Sequence, residues 1–272
     1  MQALSNLNFH QTFPPTTDGI SRLLSVADQG GAYTKEELSE QTGIPTGKSS
    51  GKVEPYIRYA VYMGLLEDQS EGGKHALSIT PLGEELRLQD PGLMEQVSLM
   101  VCHSCLTSGY SGASLWAYLF KSVLPRYPDG ISDVLLKDEL QQASNSASEV
   151  NKGPFLSSYS GMFAPLRLLS SEGGRLRAMS SSFDPELLYA YAYGLLYEWE
   201  GMYPDRKEIT GDELRSLNMS ATFGLSQDAF SDLLHRLEED GILRLNRQLV
   251  PFTAIKTATS EEMIPKLYSL LC

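Results

Sequence analysis

Near both ends of this chain, apolar residues at helical spacing give way to short apolar segments that flank a turn. In the first stretch Ile20, Leu23, Leu24 and Ala27 fall on one helical face, with Thr17 or Asp18 placed to cap it. Gly30-Gly31 ends that helix. Thr34 and Glu37 have capping-box spacing and open a short helix, 36–42. Gly43-Ile-Pro45 reads as a turn, and a longer helix follows over about 51–63, with Pro55 admissible only in its first turn. Gly64 is the expected left-handed stop. Leu65-Leu66 and Ala76–Thr80, on either side of Gly72-Gly73, predict a β-hairpin. Helix, helix, helix and hairpin is the order of a winged helix.

The order recurs at the other end. Asp184-Pro185-Glu186 starts a helix expected to reach Trp199. Thr210 and Glu213 form a second capping box, 217–223 reads as a turn, and Ser226 opens a helix to Asp240 with Phe230, Leu233, Leu234 and Leu237 inward. Gly241 closes it, and Ile242–Leu245 with Gln248–Ile255 predict another hairpin. Between the two ends the spacing is helical, over 93–105, 114–124, 131–143 and 155–169, with Arg175-Leu-Arg177 as a wing-like strand after Gly173-Gly174. The sequence therefore predicts a mainly α (α+β) protein. Two winged-helix-like units, residues 1–90 and 183–272, flank a helical middle, residues 91–182.

Charge narrows the function. A net charge of −12 and a pI near 4.8 exclude indiscriminate attraction to phosphate backbones, so any nucleic-acid contact must be local. No apolar run reaches the roughly 18 residues of a membrane span, and the N-terminus has no signal-peptide pattern. Three cysteines, an odd number, do not describe a disulfide scaffold. The expected location is the cytoplasm.

The most informative segment is 43–66. A phosphate-binding P-loop needs four residues between its first glycine and Gly-Lys, and Gly43 and Gly47 are separated by three. Pro45 also removes an amide donor, so no nucleotide or organic cofactor is expected. As the approach to a reading helix the segment makes better sense. Thr46, Lys48, Ser49, Ser50 and Lys52 precede or open the helix and Arg58 follows one to two turns on, a pattern of hydroxyls, amides and cations suited to DNA phosphates. A solvated helix start without a ligand is the plain alternative. Arg236, Arg244 and Arg247 form a weaker patch among Glu238, Glu239 and Asp240, where a salt-bridged solvent face is favoured. Cys102-His103-x-Cys105 lacks the second ligand pair of a structural zinc site and reads as buried cysteines on an apolar helix. His10, in the arm Phe9–Pro15, is placed either for acid–base work on a phosphodiester or, the favoured reading, in an arm whose Phe9 and Phe13 pack into the core.

The arm F-H-Q-T-F-P-P at 9–15, the run T-G-I-P-T-G-K-S-S-G-K-V at 42–53 and Y-A-x-x-M-G-L at 59–65 resemble a bacterial family of defence clusters long catalogued as a domain of unknown function. That family includes the SspB-type subunits of single-strand DNA phosphorothioation systems, which replace a non-bridging phosphate oxygen by sulfur. The resemblance implies a DNA-nicking subunit and three partners: a cysteine desulfurase, an ATP pyrophosphatase and an ATPase. If the chain nicks DNA, a divalent cation, Mg or Mn, is the expected cofactor. No catalytic motif carries over residue by residue, so the catalytic residues stay unassigned. A non-enzymatic winged-helix regulator and a protein-interaction scaffold are the alternatives.

Overall fold

The computed structural model describes residues 4, 6–47, 50–144, 150–248 and 250–271. Helices dominate, and the described residues include three small antiparallel sheets of one design. The first part runs α1 (Thr17–Ala27), β1 (Ala32–Tyr33), α2 (Lys35–Thr42), α3 (Val53–Tyr62), β2 (Leu66–Glu71) and β3 (Lys74–Ile79), and α4 (Pro81–Gln89) leads out of it. Strand β3 lies between β1 and β2. The α1 cap is Thr16, one residue before the positions expected: its hydroxyl accepts the Gly19 amide at 3.2 Å. The Thr34 box on α2 is formed in full.

The middle departs from the helical expectation. It contains α5 (Gln96–Leu106) and α6 (Ser114–Tyr118), which continues as a π-helical turn, Leu119–Val123. Then β4 (Ile131–Ser132), α7 (Asp133–Ser144), α8 (Gly153–Ser160), β5 (Leu169–Glu172) and β6 (Arg175–Ala178) follow, with β6 between β4 and β5. Ile131 is thus in a strand rather than a helix, paired to Leu176 after the turn at Gly130. The apolar run from Phe155 does not stay helical to 169. Gly161 ends α8, and Pro165 and the left-handed Arg167 (φ 50°) turn the chain into β5. The hairpin around Gly173-Gly174 is formed, both glycines having positive φ.

The last part comprises α9 (Leu188–Met202), β7 (Glu208–Thr210), α10 (Gly211–Ser216), α11 (Met219–Phe223), α12 (Gln227–Glu239), β8 (Leu243–Asn246) and β9 (Thr253–Lys256), with β9 central, then α13 (Ser260–Met263). The expected turn at 217–223 contains α11, bracketed by left-handed Asn218 and Gly224. The equivalence of Gly64 and Gly241 holds to the hydrogen bond. Gly64 N–H donates to Val61 O and Leu65 N–H to Ala60 O, each at 2.9 Å; Gly241 donates to Glu238 O at 3.1 Å and Ile242 to Leu237 O at 2.9 Å. This is the 6→1, 5→2 pair of a Schellman stop, and only a positive φ allows it.

One apolar core runs through all three parts. Helices α5 and α9 pack together at its centre, and every residue of α5 from Val97 to Leu106 is buried. They approach so closely that a Cβ on Gly194 would lie 2.8 Å from the Ser104 hydroxyl. Aromatic rings extend the core sideways, Phe9 and Tyr59 meeting Trp116, which meets Phe155, which meets Tyr159. No helix among the described residues is long and apolar enough to cross a membrane.

Candidate nucleic-acid interface

The segment before α3 is a tight, glycine-dependent loop. Gly43 ends α2 in the left-handed region, and buried Ile44 anchors the chain. Lys52 N–H then donates to Pro45 O at 2.8 Å, closing the loop on itself. A Cβ on Gly51 would stand 2.6 Å from Thr46 Cα, and one on Gly47 would stand 2.8 Å from Ser50 O. The glycines are therefore required by close backbone approach. The result is a polar hollow of about 130 Å³ lined by Gln11, Lys35, Thr46, Gly47, Ser50, Gly51 and Glu54. The Lys35 ammonium donates to Gly47 O at 3.3 Å.

Helix α3 begins at Val53 without a side-chain cap, two residues before Pro55, as the first-turn constraint on proline requires. Proline removes one donor, so the Val53 and Glu54 amides are the ones left without a helical carbonyl. Tyr56, Ile57, Tyr59 and Ala60 face the core, whereas Glu54 and Arg58 are exposed. Arg58 has no ion-pair partner among the described residues. The Lys52 ammonium sits 5.8 Å from the centre of the Phe13 ring.

Of the residues expected at a DNA contact, Thr46 and Ser50 share the hollow, Lys52 stands at the helix start and Arg58 lies on the outer face of α3. Lys48 and Ser49 lie outside the described residues. Lys35 and Gln11 join the site from α2 and from the N-terminal arm; Gln11 lies within the 9–15 block and Lys35 within the Thr34 capping box, but neither pattern points to the loop before α3. Glu54 beside the hollow, with Glu36 and Glu40 exposed on α2, limits the positive field.

The second patch is largely self-neutralised. Arg236 pairs with Glu239 and Asp240 at 3.5 and 3.4 Å, and Arg247 with Glu238 at 2.8 Å. Arg244 is exposed and has no such partner among the described residues.

The other chemical candidates are structural. His10 is fully buried, and burial pushes its pKa down. Its ring packs on Phe9 and Trp116, and Nδ1 lies 3.1 Å from Gln11 O, so it has no access to a phosphodiester. Phe9 packs edge-on to Tyr59 and Tyr62, each at 4.9 Å, as the anchored-arm reading expects. Cys102 and Cys105 are buried free thiols, and burial pushes the Cys105 pKa up to about 12. His103 uses both ring nitrogens: Nε2–H donates to Thr222 O at 2.8 Å, and Nδ1 accepts the Tyr159 hydroxyl at 2.9 Å. Burial lowers its pKa to about 3. Among the described residues, no three His, Cys, Asp or Glu side chains form a metal-binding group.

The sequence matches no described protein family and no curated protein. Its fold does have solved counterparts. A magnesium ion-bound SspB crystal structure superimposes with a TM-score of 0.72 at 16% identity, covering 98% of this chain and 89% of that one. A second SspB crystal structure gives the same TM-score at 15% identity, with the same coverage. The chain has an SspB-like fold over nearly its whole length.

Proposed function

We propose that this chain is a DNA-contacting subunit of a phosphorothioation defence system and that its three strand–helix–hairpin units are winged helices. The observation that carries the DNA reading is the start of α3: a glycine-closed polar hollow with Lys35 and Lys52 beside it, and Arg58 free on the adjoining outer face. A phosphate oxygen there meets amides, hydroxyls and cations together. The full-length likeness to SspB structures supports the assignment to such a system, as do the sequence blocks at 9–15, 42–53 and 59–65.

Nicking by this chain, and its partnership with a cysteine desulfurase, an ATP pyrophosphatase and an ATPase, are part of the proposal. One SspB structure carries magnesium. The described residues of this chain do not form a protein-only cage for such an ion. Magnesium bound here would keep most of its waters and take phosphate oxygens plus one or two side chains.

The test is a supercoiled plasmid incubated with pure protein and Mg²⁺ or Mn²⁺, alongside anisotropy of a labelled duplex at low salt. Open circles and a binding isotherm, both weakened in Lys52→Ala/Arg58→Ala, support the proposal. The salt slope of log K should also fall by about 0.9 for each phosphate that the variant no longer neutralises. Absence of both nicking and binding leaves the scaffold role, in which the protein meets only its protein partners.

A further inference from the structure

A second concave site lies where the middle part meets the last. After Ala178 the chain runs extended through Met179–Asp184 and joins the last part through a parallel bridge: Ser181 N–H donates to Gly224 O at 2.8 Å, and Ser226 N–H donates to Ser181 O at 3.2 Å. This pairing uses the main chain of Ser181 and leaves the hydroxyls of Ser180 and Ser182 without partners among the described residues. The turn that carries Arg167 lies beside this segment, Met179 N–H donating to Leu168 O at 2.9 Å. Both contribute to a groove of about 580 Å³, whose lining includes Gln96, Arg167, Ser180, Ser182, Phe183 and Tyr191.

Three features of the groove point to a ligand. Arg167 is exposed, and its guanidinium has no ion-pair partner among the described residues. Its backbone is held in the left-handed region (φ 50°, ψ 38°), a conformation that costs a branched or long residue energy and that glycine would adopt freely. Asp184 is the one carboxylate in the lining, and it caps the following helical turn, accepting the Glu186 amide at 3.0 Å. The floor is aromatic: half-buried Phe183 lies against buried Tyr191 (ring centres 6.0 Å apart), which in turn lies against Phe223 at 4.9 Å.

The charge distribution agrees. Residues 91–182 carry seven basic and seven acidic residues, so the net charge of −12 comes entirely from the two flanking parts. A polyanion approaching this protein meets least repulsion along the middle. Free cation, free hydroxyls and an accessible aromatic face are the elements with which proteins hold single strands: cations and hydroxyls track the phosphates and rings stack the bases. A duplex keeps its bases stacked inside and cannot place one in a concave pocket, whereas a single strand can.

We propose that this groove binds a single-stranded nucleic-acid segment, with a backbone phosphate on Arg167, Ser180 and Ser182 and the adjoining base against Phe183. The proposal rests on the DNA-contacting reading but places a second contact away from α3.

The experiment is fluorescence anisotropy of a labelled oligothymidylate with the full-length protein over a salt series. Arg167→Gly removes the guanidinium while relieving the backbone, so the fold is kept. It should weaken single-strand binding about tenfold, the scale of a hydrogen bond to a charged group, and reduce the salt slope by about 0.7. Arg167→Lys should restore most of the slope, and Phe183→Ala should weaken binding with the slope unchanged. Lys52→Ala/Arg58→Ala should weaken duplex binding and spare the single strand. Single-strand affinity and slope unchanged in Arg167→Gly would overturn the proposal while leaving the α3 reading intact. Should the oligonucleotide not bind, thymidine 5′-monophosphate followed by ¹H–¹⁵N NMR separates the remaining cases. Shifts at residues 180–183 that vanish in Arg167→Gly would give the phosphate site to a free nucleotide and overturn the nucleic-acid assignment. No shift would overturn both.

Discussion

His103 makes the fold sensitive to mild acid, and the size of the effect follows from its surroundings. The imidazole is fully buried in α5 and is held between Thr222 O and the Tyr159 hydroxyl, so it ties α5 to α8 and α11 as a neutral ring. Its pKa is lowered from 6.5 to about 3, chiefly by burial. The unfolded chain therefore binds a proton that the folded chain refuses. The stabilisation is fully present above the unfolded value and is lost as the pH falls from 6.5 toward 3. Each pH unit inside that window costs about 1.4 kcal/mol, so moving from about pH 7 to about pH 5 removes about 2 kcal/mol. Carboxylates contribute little over that range. Glu213, held down to about 2 by Arg206 and the Thr210 amide, has an ordinary value of 4.5 and adds its share only at lower pH.

The variant His103→Gln keeps a donor for Thr222 O and removes the titrating group. It should cost about 1–3 kcal/mol at neutral pH through the imperfectly replaced hydrogen bonds, and it should lose about 2 kcal/mol less than the native protein on acidification. Urea unfolding at both pH values, followed by circular dichroism, measures the difference. His10 is also depressed by burial, but it is present in both proteins and cancels. Equal acid losses in the native protein and the variant would refute the reasoning, because the buried ring would then titrate as if it were solvated.

Three further outcomes are expected. Lys121 and Glu198 are 3.0 Å apart and largely shielded from water, with Glu198 also accepting the Gly109 amide. Lys121→Met should lower unfolding stability by about 3–5 kcal/mol by stranding the carboxylate, and Lys121→Met/Glu198→Gln should recover much of that in the same urea titration. A Cβ on Gly83 would lie 2.1 Å from Leu65 O, a backbone atom already held by the Thr80 amide. Gly83→Ala should therefore cost about 1–3 kcal/mol or more. Gly72→Ala, in open space at φ 59°, should cost only the backbone strain of about 1–2 kcal/mol, and thermal midpoints separate the two. Thr34→Ala and Thr210→Ala each break a complete capping box and should cost about 1 kcal/mol, read from urea midpoints.

The sequence by itself determined the local signals. Capping boxes at Thr34 and Thr210, left-handed stops at Gly64 and Gly241, and the hairpin at Gly72-Gly73 all depend on side chains a few residues apart, so local spacing is enough to read them. The anchoring of Phe9 was legible for a related reason: an aromatic arm held by two prolines has few places to go but the core. Only the tertiary structure decided the three-stranded sheet of the middle part. The two-residue strand β4 has no periodicity of its own and becomes a strand only because Leu176, far along the chain, offers it hydrogen bonds. The same holds for the site first read at 43–66. Its loop glycines and helix start were visible in order along the chain. Lys35 and Gln11 come beside Thr46 only when α2 and the arm meet the loop, and the freedom of Arg58 beside the pairing of Arg236 and Arg247 is set by which carboxylates the fold brings near. Composition counts charges, whereas the fold determines which of them remain unneutralised at the surface.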